Sequence, residues 1–368
     1  MKSGWVTKKL GEVCEIIHGR NQSSVADENG KYPIYGSGGV MGRATDFRCP
    51  AGCTIVGRKG SINNPIFVNE KFWNVDTAYA LSPIDIEAKW LFYFCRSFDF
   101  AQLDCGTTIP SLTSALVKEI PIPIPPLSEQ KRIVKKIDAA FEKIDKLKAN
   151  AEKNLANAKE LFQSALDEAM RPKKGWVEKR LGEIGETLTG MTPSTKDKSN
   201  FGDYMPFVKP GDITPFSPIQ FRVEGLSQKG VGLSRLVKKD SVLMVCIGAS
   251  IGKTGYTDRD CTCNQQINAL IPEGFLGRYL YYILSSERFK KKLIDEAGQT
   301  TLPIISKSKW ENLTISVSSS LIEQRDIVKR LDALSSKLEI LQQNYTRQIA
   351  DCAEMRQAVL REAFEGRL

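Results

Sequence analysis

The residues best placed to do chemistry in this sequence form the turn Gly57-Arg58-Lys59-Gly60-Ser61-Ile62, entered from the apolar run Thr54-Ile55-Val56. Glycines let backbone come close to a ligand, and two adjacent cations at a strand tip can meet phosphates or the acceptor atoms of guanine. The glycine-rich stretch Tyr32-Pro33-Ile34-Tyr35-Gly36-Ser37-Gly38-Gly39-Val40-Met41-Gly42 precedes the turn, and Phe72-Trp73-Asn74-Val75-Asp76-Thr77-Ala78-Tyr79-Ala80-Leu81 supplies a further strand. Catalytic chemistry is harder to build. Gly248-Ala249-Ser250-Ile251-Gly252-Lys253-Thr254 has one residue too few between its glycines for a P-loop, and its counterpart from Gly57 has no Gly-Lys pair. Asn63-Asn64-Pro65-Ile66-Phe67 lacks the second proline of the Asn-Pro-Pro-aromatic motif of amino-methyltransferases, and no glycine-rich cofactor fold precedes it. His18, the one histidine, lacks partners for a triad or a metal site and is expected to play a structural part beside Gly19. The nine cysteines contain no Cys-x-x-Cys pair, so neither zinc nor a disulfide framework is expected, and the thiols should be reduced and buried.

The elements that must position these loops come in two copies. Gly4-Trp5-Val6-Thr7-Lys8-Lys9-Leu10-Gly11-Glu12-Val13 returns as Gly175-Trp176-Val177-Glu178-Lys179-Arg180-Leu181-Gly182-Glu183-Ile184, 171 residues on. Leu127-Ser128-Glu129-Gln130-Lys131-Arg132-Ile133-Val134-Lys135-Lys136-Ile137-Asp138 returns 194 residues on, from Leu321 to Asp332. The growing shift places the extra residues inside the second globular unit while both edges of the repeat keep their sequence. Val242 to Lys253 and Cys263 to Leu270 correspond to the turn and strand above, and Gly106-Thr107-Thr108-Ile109-Pro110 matches Gln299-Thr300-Thr301-Leu302-Pro303. Such repetition predicts a pseudo-symmetric object with two working ends.

Each unit is followed by a heptad seam. Ile133, Ile137, Ala140, Ile144, Leu147, Ala151, Leu155, Ala158, Phe162, Ala165 and Ala169 recur in steps of three and four, and the same pattern runs from Ile327 to Ala363. Two successive steps of four occur at 147-151-155 and again at 341-345-349, so the two stutters match and the helices should pack on each other. Ser128 is the expected N-cap of the first helix, after the extended run Pro121-Ile122-Pro123-Ile124-Pro125-Pro126, and Ser320-Leu321-Ile322-Glu323 is a capping box for the second. Only Arg171-Pro172-Lys173-Lys174-Gly175 separates the first helix from Trp176, so that helix carries the chain from one unit to the other and an antiparallel second helix carries it back. Roughly 40 residues give a rod of about 60 Å, and Leu368 should lie near Met1.

At 368 residues the chain is long enough for two or three domains, contains no apolar run that would span a bilayer, and is expected in the cytoplasm. The net charge of +9 divides as +1 for 1–127, +1 for 128–170, +7 for 171–321 and zero for 322–368. A basic globular unit beside charge-balanced helices predicts a polyanion partner for the unit and protein partners for the helices.

In this order and duplicated, the Tyr-Pro-Ile-Tyr-Gly-Ser-Gly-Gly loop, Ile55-Val56-Gly57-Arg58-Lys59-Gly60-Ser61-Ile62, Asp76-Thr77-Ala78-Tyr79 and Ile122-Pro123-Ile124-Pro125-Pro126-Leu127-Ser128-Glu129-Gln130 resemble the specificity subunit of a type I restriction-modification system. The second copy departs at Ile315-Ser316-Val317-Ser318-Ser319-Ser320, where the proline run is lost. The resemblance implies an α+β chain with target recognition domains at 1–127 and 171–321 and helical spacers at 128–170 and 322–368. It implies a non-catalytic reader of a bipartite double-stranded DNA target that binds no cofactor or metal itself. Its partners would be two methyltransferase subunits, which bring S-adenosylmethionine, and a helicase-nuclease restriction subunit. Arg and Lys pair with guanine, Asn and Gln with adenine, and Ser with phosphate. The residues of those types expected at the DNA are Arg20, Asn21, Arg43, Arg58, Lys59, Ser61, Asn63 and Asn64 in the first unit. In the second they are Lys196, Lys198, Lys209, Arg222, Ser250, Lys253, Gln265, Gln266 and Asn268. Two alternatives stand beside this reading: the specificity part of a related restriction system in which one polypeptide methylates and cleaves, and a coiled-coil adaptor whose ends bind proteins.

Overall fold

The computed structural model describes residues 4–222, 224–298 and 303–368. The chain forms two compact units, residues 1–151 with 347–368, and residues 152–346. In the first, Val6–Lys9 pairs antiparallel with Pro121–Ile124, a strand that tolerates alternate prolines because it has a neighbour on one side only. A four-stranded antiparallel sheet follows in the order Cys14–His18, Ala78–Pro83, Cys53–Gly57, Ile66–Val68. A smaller sheet sets Tyr32–Gly36 between Gly39–Ala44 and the parallel strand Trp73–Asn74. Helix Ala88–Ser97 buries Trp90, Leu91, Tyr93, Phe94 and Cys95. The core continues into Ile133, Ile137, Phe141 and Ile144 of the first long helix, Leu127–Ala169, and into Cys352, Leu360 and Ala363 of the second, Leu321–Phe364. Arg132 donates to the Leu368 carbonyl oxygen at 2.7 Å and Arg356 pairs with Asp145, so the two helix segments of this unit run antiparallel. Met1 lies outside the described residues, but Trp5 and Leu368 both pack on this core.

The second unit repeats the plan. Val177–Arg180 pairs with Thr314–Val317, and Gly185–Thr189, Ile267–Pro272, Ser241–Val245 and Thr254–Thr257 form a four-stranded sheet in the same order. Phe207–Val208 lies parallel to Thr262–Cys263, as Tyr32–Gly36 does to Trp73–Asn74. Helices Gly277–Leu284 and Glu287–Ala297 share a core with Phe162, Leu166 and Met170 of the first long helix and Ile327, Leu331 and Leu338 of the second. Each half of each long helix contributes to the core of its own unit.

Three local expectations need correction. Ser128 is not the N-cap: the first long helix begins at Leu127, and the amides of Glu129 and Gln130 donate to the carbonyl of Pro126. Only half of the capping box forms in the second helix, where Glu323 N donates to Ser320 Oγ. The Glu323 carboxylate is drawn instead to Ser318 Oγ and Trp176 Nε1, contacts that hold it below the usual carboxylate range, Ser318 first. The seam is also incomplete. Ile133, Ile137, Ile144 and Phe162 are buried, as are Ile327, Leu331 and Leu338, yet Leu147 is 53% exposed and Leu334 and Leu341 are each 40% exposed.

Candidate nucleic-acid interface

In the first unit, backbone hydrogen bonds gather several loops around the segment 74–77. The amides of Arg58 and Lys59 donate to Thr77 O, Arg20 N donates to Asn74 O, and Gly60 N donates to Pro110 O. Arg58 Nη1 donates to Asp76 O at 2.9 Å, and Trp73 Nε1 donates to Arg20 O at 3.0 Å. Gly19 must be glycine because a Cβ there would fall 1.8 Å from Val75 O. The loop that ends at Pro110 is closed by Asp104, whose carboxylate accepts from the amides of Ser111 and Gly106 and is held below its usual range by them. Arg20, Asn21, Arg58, Lys59 and Ser61 therefore share one loop cluster. Lys59 is exposed, and its ammonium has no partner among the described residues.

Three of the expected readers of this unit do other work. Arg43 donates to the carbonyls of Gly30 and Lys31 at 2.5 and 2.7 Å and so closes a loop. Asn63 donates to Asp99 Oδ1 and accepts from Phe100 N, which satisfies both ends of its amide, and Asn64 accepts from Arg96. Replacing Asn63 by alanine should cost about 1–2 kcal/mol of stability, since Phe100 N loses its acceptor, and should leave sequence preference untouched. Thermal melting and methylated-motif mapping of the variant check this. His18 meets Tyr79 edge-on at 5.1 Å, and its carbonyl accepts from Arg48, in line with a structural part.

The second unit builds the same cluster on different side chains. Cys246 N donates to Gln266 O and Gly248 N to Pro303 O, reproducing the bonds of Arg58 to Thr77 and of Gly60 to Pro110. Gly60 and Gly248 both have positive φ, 81° and 83°. Gly248 is therefore the counterpart of Gly60, not of Gly57, and Cys246 and Ile247 stand where Arg58 and Lys59 stand. Of the matching loop 299–303, only Pro303 lies among the described residues.

Gln265 accepts from Thr192 Oγ1, and Gln266 accepts from Asn264 Nδ2. Lys209 follows Val208, whose carbonyl accepts from Asn264 N, so it stands beside this turn. Lys196 and Lys198 are exposed on the loop 193–200, where Asp197 accepts from Lys229 Nζ and from the amide and hydroxyl of Ser199, bonds that hold its carboxyl down to about 2. Ser250 and Lys253 are half-buried in a turn whose Gly252 faces Leu293. Arg222 bonds at 2.5 Å to Asp212, a carboxylate only 1% exposed, while its own side chain remains 60% exposed. Asn268 is 2% exposed inside the central sheet and accepts from Thr189 Oγ1, so burial removes it from any surface.

Eight cysteines are buried and Cys105 is exposed, contrary to the expectation for that thiol. Burial pushes the thiols of Cys14, Cys49 and Cys246 up to about 12, so they are inert as nucleophiles. Among the described residues no three His, Cys, Asp or Glu side chains come together to hold a metal.

The family model described as "Type I restriction modification DNA specificity domain" matches residues 2–156 and again residues 173–349. The chain belongs to this family. It carries two specificity domains of mixed helix and strand together with long helices, and its role is recognition, not catalysis. The EcoDI specificity subunit of Escherichia coli is 21% identical over 99% of this chain and 88% of its own length. The HindI specificity subunit of Haemophilus influenzae is 31% identical over 45% of this chain and 38% of its own. Two solved structures share the fold of these specificity domains. One, described as the basis of complex assembly and conformational transition of the type I R-M system, gives a TM-score of 0.78 at 23% identity over 100% of this chain and 99% of that one. The other, the HsdS subunit from Thermoanaerobacter tengcongensis, gives 0.54 at 22% identity, over 100% of this chain and 98% of that one.

Proposed function

We propose that each unit reads one half of a bipartite duplex target through its loop cluster, and that the long helices set the gap between the halves. Arg20, Asn21, Arg58, Lys59 and Ser61 face DNA in the first unit. Lys196, Lys198, Lys209, Ser250, Lys253, Gln265 and Gln266 face it in the second. The observation that carries this reading is one hydrogen-bonded loop framework bearing Arg58-Lys59 in one unit and Cys246-Ile247 in the other. A shared frame with unlike side chains suits two readers of two different sequences. The excess of +7 in residues 171–321 supports a polyanion partner for the second unit. The half-exposed seam residues Leu147, Leu334 and Leu341, with Leu161 74% exposed, support docking of two methyltransferase subunits and, through them, a restriction subunit. The cytoplasm, where DNA and these partners meet, is the proposed place of action.

Binding of the assembled chain and methyltransferase to duplex DNA at rising salt tests the reading. Affinity should fall at least tenfold between about 50 and 200 mM salt. Failure to bind any duplex at any salt would overturn it in favour of the adaptor. Lys59→Ala should weaken binding to all sequences alike and lower the salt slope by about one, whereas Arg58→Ala should cost about 1–3 kcal/mol and relax one base of one half-site. Competition binding with single-base variants of the target separates the two outcomes.

A further inference from the structure

We infer that Gln130 and Asp138 in the first unit, and Gln324 and Asp332 in the second, are positioning residues that fix the angle at which each recognition domain stands on its long helix, and through that angle the gap between half-sites. The inference rests on the bipartite reading above. In the first unit Gln130 Oε1 accepts from Glu87 N at 2.9 Å while its Nε2 donates to Pro125 O at 2.8 Å. Farther along the same helix, Asp138 accepts from Lys89 Nζ at 2.9 Å and from the Tyr93 hydroxyl. In the second unit Gln324 Oε1 accepts from Leu276 N at 3.0 Å, and its Nε2 donates to Ser318 O at 2.9 Å. Asp332 accepts from Arg278 Nε at 2.8 Å and from Tyr282 OH at 2.6 Å. The aspartate follows the glutamine by eight residues in both copies, and the partners on the domain helix keep one spacing, Glu87, Lys89 and Tyr93 against Leu276, Arg278 and Tyr282, although the domains differ in length and in their reading loops. Among the described residues, Gln130 and Gln324 are the only polar side chains of the two long helices that are fully buried, at 1% and 0% exposure.

Holding a domain to a helix does not require this. Apolar contacts through Trp90 and Ile133, or Tyr279 and Ile327, already supply cohesion, and such contacts are non-directional. Hydrogen bonds are directional, and each unit has them at two points on the same domain helix. The glutamine takes the N-cap amide, of Glu87 before Ala88–Ser97 or of Leu276 before Gly277–Leu284, and the aspartate takes the cation of the first turn and the tyrosine of the second. Two fixed points define a line, so the domain helix cannot tilt against the long one. Burial first, and Asp332 next, push the Tyr282 phenol up, so it remains a protonated donor throughout the physiological range. A tilt of about 10° on a lever of about 20 Å would move the reading loops about 3.5 Å, one base-pair step.

The test maps methylated sites in hosts carrying the full complex with Asp138→Ala, Asp332→Ala or the conservative Asp138→Asn. Wild type should methylate one gap length. Either alanine variant should methylate sites with a gap one base pair longer or shorter at least tenfold more often, with both half-site sequences unchanged, and Asp138→Asn should return most sites to the single gap. Contacts that merely stabilise would lower the amount of complex and leave the gap single, which would overturn the inference. Should Asp138→Ala fail to accumulate, Tyr93→Phe, which removes only the hydroxyl donor, decides: a single wild-type gap there also overturns it. Wild-type complex that leaves no two-part methylated motif would instead refute the bipartite reading itself.

Discussion

Removing residues 148–151 together with 342–345 shortens the gap between the two half-sites by about one to two base pairs and leaves the half-site sequences as they are. Each long helix passes from one unit into the other without a break, so its length is the quantity the deletion changes. Four residues of α-helix rise about 6 Å, which is under two base-pair steps of about 3.4 Å. The choice of residues matters because both helices carry consecutive steps of four there, at Leu147-Ala151-Leu155 and at Leu341-Tyr345-Ile349. Taking four residues out of each stutter restores an uninterrupted alternation of threes and fours, so the apolar seam survives the change in length. Motif mapping of methylated host DNA reads the result directly. Retention of the original gap in a folded deletion variant would show that the helices do not measure it.

Trp90→Ala is expected to have the largest effect of any single substitution on the first unit. Trp90 is fully buried, its ring lies 4.6 Å from that of Phe364 and meets that of Trp5 edge-on at 5.7 Å, and its Nε1 donates to Pro123 O at 3.0 Å. One side chain therefore joins the domain helix, the proline strand and the end of the second long helix. Truncation of a buried tryptophan costs about 3–5 kcal/mol, which lowers the melting temperature of a domain this size by about 6–20 °C. Hydrogen exchange should show lost protection over 88–97 and 121–124, with 279–284 unchanged. Unaltered protection in the first unit would mean that this junction is less important to its stability than its burial implies.

The repeat was legible in the sequence because its edges carry the mount. Gln130 and Gln324, or Asp138 and Asp332, face the same backbone and tyrosine partners in both units, and that shared task keeps Leu-x-Glu-Gln and the following helix alike. The long helices were legible from apolar spacing alone, a local property of the chain. The mount itself was not singled out, although the repeated Glu-Gln and the aspartate after it were its visible signal. The reading loops were less legible: the glycines and the matching Thr-Thr-Ile-Pro and Thr-Thr-Leu-Pro runs stand in the sequence, but the backbone bonds that join them, Gly60 to Pro110 and Gly248 to Pro303, link distant segments that no local spacing connects. Side-chain chemistry also misleads there. Asn63, Arg43 and Asn268 have the groups that read bases, but each meets a partner within its own unit, a matter of tertiary neighbours that no spacing encodes.

One chain is proposed to hold two unlike readers of DNA. Long-read methylation mapping of a host with and without this gene, its methyltransferase partner present in both, tests it most directly. The account predicts that the gene adds a single motif of two different half-sites at one fixed gap, and that Arg58→Ala loosens a base in one half only. A continuous motif, or loosening in both halves at once, would contradict it.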